Sequence, residues 1–171
     1  DSIEKLRAKG AQLHQVDFYN QQQTHTFIAA VTGTTDGIDC LIHNASDWHD
    51  DNGILDFADY HQIFSKMMTI HAEVPYQLNL AFHPLLMPKN DDQFADIIHV
   101  SDYVASIGSK KHVAYAASKA ALDGFATALE PYVRGAGMSV TRVYPGPLRT
   151  GHVRHYADYD QGRGTDPERI V

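Results

Sequence analysis

Asp96-Ile97-Ile98-His99-Val100-Ser101-Asp102 is the stretch on which the fold turns. Its first five residues are apolar enough to be buried on both faces of a parallel sheet. A helix rich in Ala and Leu is expected over roughly 112–134. Ser139-Val140-Thr141-Arg142-Val143-Tyr144 then reads as a strand, stopped by Pro145-Gly146. Upstream, Asp39-Cys40-Leu41-Ile42-His43 is a second short strand running into Asn44-Ala45-Ser46. Between these strands, residues 56–87 carry helical periodicity, with Ile63, Met67, Met68 and Ile70 followed by Leu78, Leu80 and Leu85. Farther out, Gln12-Leu13-His14-Gln15-Val16 reads as a strand ending at Asp17. Residues 20–34 read as a helix with Phe27, Ile28 and Val31 on one face. Residues 3–9 read as the tail of a helix closed by Gly10, a good C-cap residue.

Strands and helices alternating at this spacing predict parallel βαβ units. The expected class is α/β, a Rossmann-like doubly wound parallel sheet in three αβα layers. Ligands of such sheets sit beyond the carboxyl ends of the strands. That rule marks the segments after 39–43, 96–100 and 139–144. No glycine-rich turn precedes residue 10, so the sheet is expected to lack its first βαβ unit, and its last strand as well. Residues 1–171 are read as one domain, incomplete at both ends. A gap is expected within 151–165, where His155-Tyr156-Ala157-Asp158-Tyr159-Asp160 runs abruptly into Gly162-Arg163-Gly164.

Composition excludes several function classes. Lys and Arg number 14 against 21 Asp and Glu, a formal net charge of -7, which disfavours a nucleic-acid partner. No apolar run approaches the ~18 residues of a membrane span. The charged start Asp1-Ser2-Ile3-Glu4-Lys5 is unlike a signal peptide, and Cys40 alone cannot form an intramolecular disulfide; both fit a cytoplasmic protein. Among 11 His, the tight clusters are His49-Asp50-Asp51 and His152-x-x-His155, in loops without Cys partners, so no metal is expected.

The chemistry centres on Tyr115-Ala116-Ala117-Ser118-Lys119. On a helix, residues i and i+4 are neighbours, which brings a phenol beside an ammonium group. A cation within ~4–6 Å is expected to lower the phenol pKa and fit it for proton transfer. The pattern alone is common, and a solvated helix face would explain it equally well. Its surroundings decide otherwise. Asp102 lies 13 positions before Tyr115, Asn44-Ala45 follows the preceding strand, and Pro145-Gly146-Pro147-Leu148-Arg149-Thr150 follows the next.

Together, His43-Asn44-Ala45-Ser46, Tyr115-x-x-x-Lys119 and Pro145-Gly146-x-x-x-Thr150 resemble the short-chain dehydrogenase/reductase family, in the right order along almost the whole chain. The resemblance implies an NADPH cofactor, with NAD the alternative. Asn44 and Ala45 would line it, Asp17 and Phe18 would contact its adenine, and Tyr115 and Lys119 would hold the nicotinamide ribose. Pro145, Gly146, Leu148 and Thr150 would wrap the nicotinamide. Asp102 stands where the family carries a catalytic Ser, and His71 where many relatives carry an Asn. Asn44-Ala45-Ser46 followed by Trp48 resembles the pteridine reductases, of dihydromonapterin type. That likeness implies a dihydropterin substrate reduced at C=N, with a proton delivered by Tyr115 and Asp102. Trp48 would stack on the pterin. Ser46 would bond both cofactor and pterin, and Pro147 would line the substrate. His71 is read either as a relay between Lys119 and solvent or as a satisfied interior His. In relatives the helices at 56–80 and 112–134 pair across subunits, which implies a homo-oligomer. Two rival readings remain: a carbonyl or alcohol oxidoreductase on the same fold, and a catalytically silent interaction module.

Overall fold

The computed structural model describes residues 2–49 and 57–145. Helix α1 (Ser2–Ala8) ends two residues before Gly10, whose φ of 84° suits glycine. Helix α2 (Gln21–Thr34) starts on Asn20, whose side chain accepts a hydrogen bond from the Gln23 amide. Strand β1 (Cys40–His43) leads to a long helical arm made of α3 (Phe57–Met68), a π-helical turn (Thr69–Glu73) and α4 (Val74–Leu86). Strand β2 (Ala95–Val100), a short helix α5 (Val104–Ile107), α6 (Val113–Arg134) and β3 (Met138–Val143) follow.

The three strands form a parallel sheet in the order β1-β2-β3. His43 pairs with His99, and His99 with Arg142, so the carboxyl ends of all three strands lie level. Parallel neighbours joined through helices are the βαβ units that the sequence predicts. Alternation along β2 buries Ala95, Ile97 and His99, the face on which α4 and α6 pack. The main core joins Val74, Leu78, Phe82 and Leu86, one stripe of α4, to Ala95, Ile97, Val133 and Met138. Phe27 of α2 meets Phe82 edge-on, with ring centroids 6.1 Å apart. A second, smaller cluster of Met67, Ile70 and Ala114 lies beside Tyr115.

Two local expectations need correction, and one short element is new. Residues 12–16 form no strand; no neighbour among the described residues takes their backbone groups into a ladder. The helix expected over 56–87 is interrupted at 69–73, where the Val74 amide reaches back five residues to the Thr69 carbonyl. Pro75 lies just beyond: it has no amide to donate, and its ring would crowd the carbonyl four residues earlier, so the chain widens there. The turn α5 was not expected at all. Pro167-Glu168-Arg169, which reads in the sequence as a helix start, lies outside the described residues.

Candidate active site

The carboxyl ends of β1 and β2 and the first turns of α6 converge. β2 ends at Val100, and Ser101 still donates its amide to the Val143 carbonyl at 2.8 Å, so the chain leaves the sheet at Asp102. The Asp102 carboxylate then makes two bonds. Oδ1 accepts the Val104 amide at 3.0 Å, which fixes the turn leading into α5, and Oδ2 accepts the Tyr115 hydroxyl at 3.1 Å. Asp102 is therefore both a turn-forming residue and the partner of the phenol.

Lys119 is 3 % exposed. Its Nζ donates to the Val100 carbonyl at 3.0 Å and stands 5.7 Å from the centroid of the Tyr115 ring. Burial is the main reason its pKa falls to about 8, against the pull of Asp102 and Asp123. The expected lowering of the Tyr115 pKa does not occur. Burial raises it, and the charge of Asp102 and the hydrogen bond to it raise it further. The phenol is a group that keeps its proton.

His71 comes from the π-helical turn and is 1 % exposed. Its Nε2 lies 2.8 Å from Ser46 Oγ, and its Nδ1 lies 2.8 Å from Ser118 Oγ. Its ring stands edge-on to Tyr115, with centroids 5.3 Å apart. Burial and then the Lys119 charge bring its pKa down to about 3, so the ring is neutral at physiological pH. The ring bonds run to two serines rather than to Lys119. Ser118, which the sequence reading passed over, is fully buried and three residues from Tyr115. That i,i+3 spacing was the available signal for a shared face.

The loop after β1 carries Asn44, Ala45 and Ser46, all exposed. Trp48 follows, its ring 4.3 Å from that of His112, which immediately precedes α6. Asp47 fixes this loop: its Oδ1 accepts the Trp48 amide at 2.8 Å, and its Oδ2 accepts the Tyr19 hydroxyl at 2.8 Å. Asp17 is tied into the turn before α2, its Oδ1 accepting the Tyr19 amide at 3.0 Å. The Phe18 ring is half-buried, edge-on to Phe27 at 6.1 Å, and packs against both core clusters. Tyr19 was also missed, and His112, which reads in the sequence as a surface residue, is half-buried against Trp48, since both places depend on loop packing. Pro145 closes the described residues; Gly146, Pro147, Leu148 and Thr150 lie outside them, as do His152 and His155.

A phenol on a carboxylate, a buried lysine one helical turn away, and a polar loop at the carboxyl edge of a parallel sheet now stand together. The family described as short chain dehydrogenase matches residues 1–160. The chain belongs to this family. Among curated relatives, it is 43 % identical over 137 residues to a dihydromonapterin reductase of Klebsiella pneumoniae subsp. pneumoniae. The match covers 78 % of this chain and 55 % of that protein. Over the same span and with the same coverage it is 41 % identical to the dihydromonapterin reductase of Escherichia coli K12. The chain thus spans about half the length of the curated relatives it matches.

Solved structures carry the same fold. A short chain dehydrogenase from Salmonella enterica serovar Typhi superposes with a TM-score of 0.80 at 20 % identity, covering 96 % of this chain and 68 % of the other. The NADP complex of Pseudomonas aeruginosa RhlG superposes with a TM-score of 0.79 at 21 % identity, covering 92 % of this chain and 62 % of the other. Among the described residues, no helix is long and apolar enough to cross a membrane.

Proposed function

We propose that the protein is an NADPH-dependent reductase of a dihydropterin of dihydromonapterin type, taking it to the tetrahydro form. The observation that carries this reading is the Tyr115–Asp102 hydrogen bond, a phenol paired with a carboxylate rather than with a serine hydroxyl. The likeness to proteins named dihydromonapterin reductase supports it.

The residues present fit the nicotinamide half of such a cofactor. Lys119 spends one donor on Val100 and is otherwise enclosed, so its remaining N–H groups suit the hydroxyls of a ribose. Tyr115 offers a second polar contact there. Asn44, Ala45 and Ser46 present an accessible backbone at the end of β1. When bound, the reduced nicotinamide supplies a hydride. Reduction of C=N then needs one proton on nitrogen. Tyr115 holds that proton until the nitrogen becomes basic and then delivers it. The phenolate left beside Asp102 would be two adjacent anions, which favours rapid reprotonation from solvent. The buried Lys119 charge limits the cost. Trp48 offers its indole as a stacking surface for the flat substrate.

The test uses the complete protein, with NADPH oxidation followed against 7,8-dihydropterins and a panel of ketones. Dihydropterin turnover is expected, and Tyr115→Phe should lower it by about 10²–10⁴ while NADPH still binds. Turnover of ketones alone would overturn the substrate. An unchanged rate in Tyr115→Phe would overturn the mechanism. Absence of both turnover and NADPH binding would favour a silent interaction module.

A further inference from the structure

The chain Ser46–His71–Ser118–Tyr115 has a hydrogen-bond direction that its own atoms dictate. Ser118 Oγ lies 2.7 Å from the Tyr115 backbone carbonyl oxygen. A carbonyl only accepts, so the single hydroxyl proton of Ser118 points there. Ser118 Oγ can then only accept from His71, and at 2.8 Å the bond requires a proton on Nδ1. With Nδ1 bare, two sets of lone pairs would face each other at that distance. The ring is neutral, so Nε2 carries no proton and must accept. Its partner at 2.8 Å is Ser46 Oγ, which therefore donates its only proton inward. A competing contact from Ser46 Oγ to the Asp47 carbonyl, at 3.5 Å, is too long to hold that proton. What Ser46 turns outward is its lone pairs, and Ser46 is exposed.

We propose that Ser118 and His71 are positioning residues that hold the Ser46 hydroxyl as a hydrogen-bond acceptor toward the site, where it recognises an N–H donor of a planar heterocyclic ligand. The consequence is a sign. Ser46 Oγ repels a phosphate or carbonyl oxygen and attracts a ring or amino N–H. Ser46 also stands at the Tyr115 hydroxyl, and with its own proton committed to His71 it meets the phenol as an acceptor, which leaves the proton balance there to Asp102 and Lys119. Asp102, the other polar group at the phenol, is an acceptor when ionised, so both polar walls ask the ligand for donors. The π-helical turn belongs to this device, because it is the local geometry that brings His71 inward between two serines from different elements.

The identity of the ligand rests on the dihydropterin reading; the polarity does not. The experiment therefore has two arms. In the first, the imidazole nitrogens of the complete protein are observed by ¹⁵N NMR, with His71 assigned by comparison with a His71→Gln variant. A protonated Nδ1 and a bare Nε2 are expected. The opposite tautomer overturns the proposal, whatever the substrate proves to be. In the second arm, Ser118→Ala removes the buried acceptor at 2.8 Å and leaves the Met67 backbone as the ring's remaining acceptor. The share of the opposite tautomer should then rise, and the KM for 7,8-dihydropterin should rise about fivefold to tenfold, the weight of one hydrogen bond. The rate constant kcat should change less than about twofold. A single Nδ1–H tautomer and an unchanged KM in Ser118→Ala overturn the positioning role. The expected tautomer in a protein that does not turn over dihydropterins supports the polarity and counts against the substrate reading alone.

Discussion

His99→Phe should flatten the dependence of stability on acid. His99 is 0 % exposed near the carboxyl end of β2, the middle strand. Its ring is stacked on Phe125 with an interplanar angle of 15° and stands edge-on to His43 at 5.0 Å. Among the described residues neither ring nitrogen has a hydrogen-bond partner in good geometry, though the Leu122 backbone approaches the ring. Burial, then the neighbouring His43, bring its pKa from 6.5 down to about 3. A histidine depressed in this way stabilises the fold fully above its unfolded value. That stability drains as pH falls below 6.5 and continues down to the folded value. The full loss is about 5 kcal/mol, from a shift of roughly 3.5 units at 1.36 kcal/mol each. By pH 5 the loss is already about 2 kcal/mol, set by protonation of the unfolded chain alone. Against a net stability of about 5–15 kcal/mol, that is a large share. Phenylalanine keeps the aromatic contact with Phe125 and removes two polar atoms that have no partner. Urea midpoints at pH 8, 6.5 and 5 should show the wild type losing about 2 kcal/mol more than His99→Phe between the extremes, at unchanged slope. Parallel losses in the two proteins would refute the reasoning, because they would mean that His99 takes up its proton without unfolding.

Other perturbations read different parts of the molecule. Lys119→Met should abolish reduction yet raise the urea midpoint at pH 7. The folded value of about 8 against 10.5 means that the charged form is penalised by up to about 3 kcal/mol below pH 8, less the hydrogen bond that Val100 loses. The advantage of the variant should shrink as pH rises from 8 to 10.5, and a lower midpoint at pH 7 would show that the hydrogen bond outweighs burial. Trp48→Ala should weaken dihydropterin binding by about 0.5–1.5 kcal/mol more than NADPH binding, measured by calorimetry. Equal losses would remove the stacking role. Tyr76, Leu80 and Tyr132 on α4 and α6 are 51 %, 60 % and 75 % exposed, apolar area suited to a partner copy. Leu80→Glu should lower the sedimentation mass of the complete protein if it assembles there, and an unchanged mass would place the interface elsewhere.

Much of this architecture was legible from residues alone. β2 and α6 announce themselves, one as a compact apolar run, the other as a long Ala- and Leu-rich stretch, because local pattern and tertiary role agree. Residues 12–16 have a strand-like pattern, but strand formation depends on a neighbour that pattern cannot supply. The π-helical turn had its cause in plain view at Pro75, yet periodicity averaged over thirty residues hides a slip of one. The site was half legible. The spacing of Tyr115, Lys119 and Asp102 places them together, and the hydrogen bond from Tyr115 to Asp102 follows. The direction of the Tyr115 pKa did not follow, because enclosure and the Asp102 contact outweigh the lysine, and enclosure is a tertiary quantity. The His71 bonds to Ser46 and Ser118 span 25 and 47 residues, beyond any local rule.

The one-residue widening at 69–73 also works as a phase shifter along the helical arm. Ahead of it, Met67 turns toward the cluster beside Tyr115; behind it, Val74, Leu78, Phe82 and Leu86 turn toward the sheet. One continuous rod thereby serves two separate interiors with a single apolar stripe apiece. Deleting one residue there would rewind the arm by about 100° per position, and one of the two interiors would have to give up its helix.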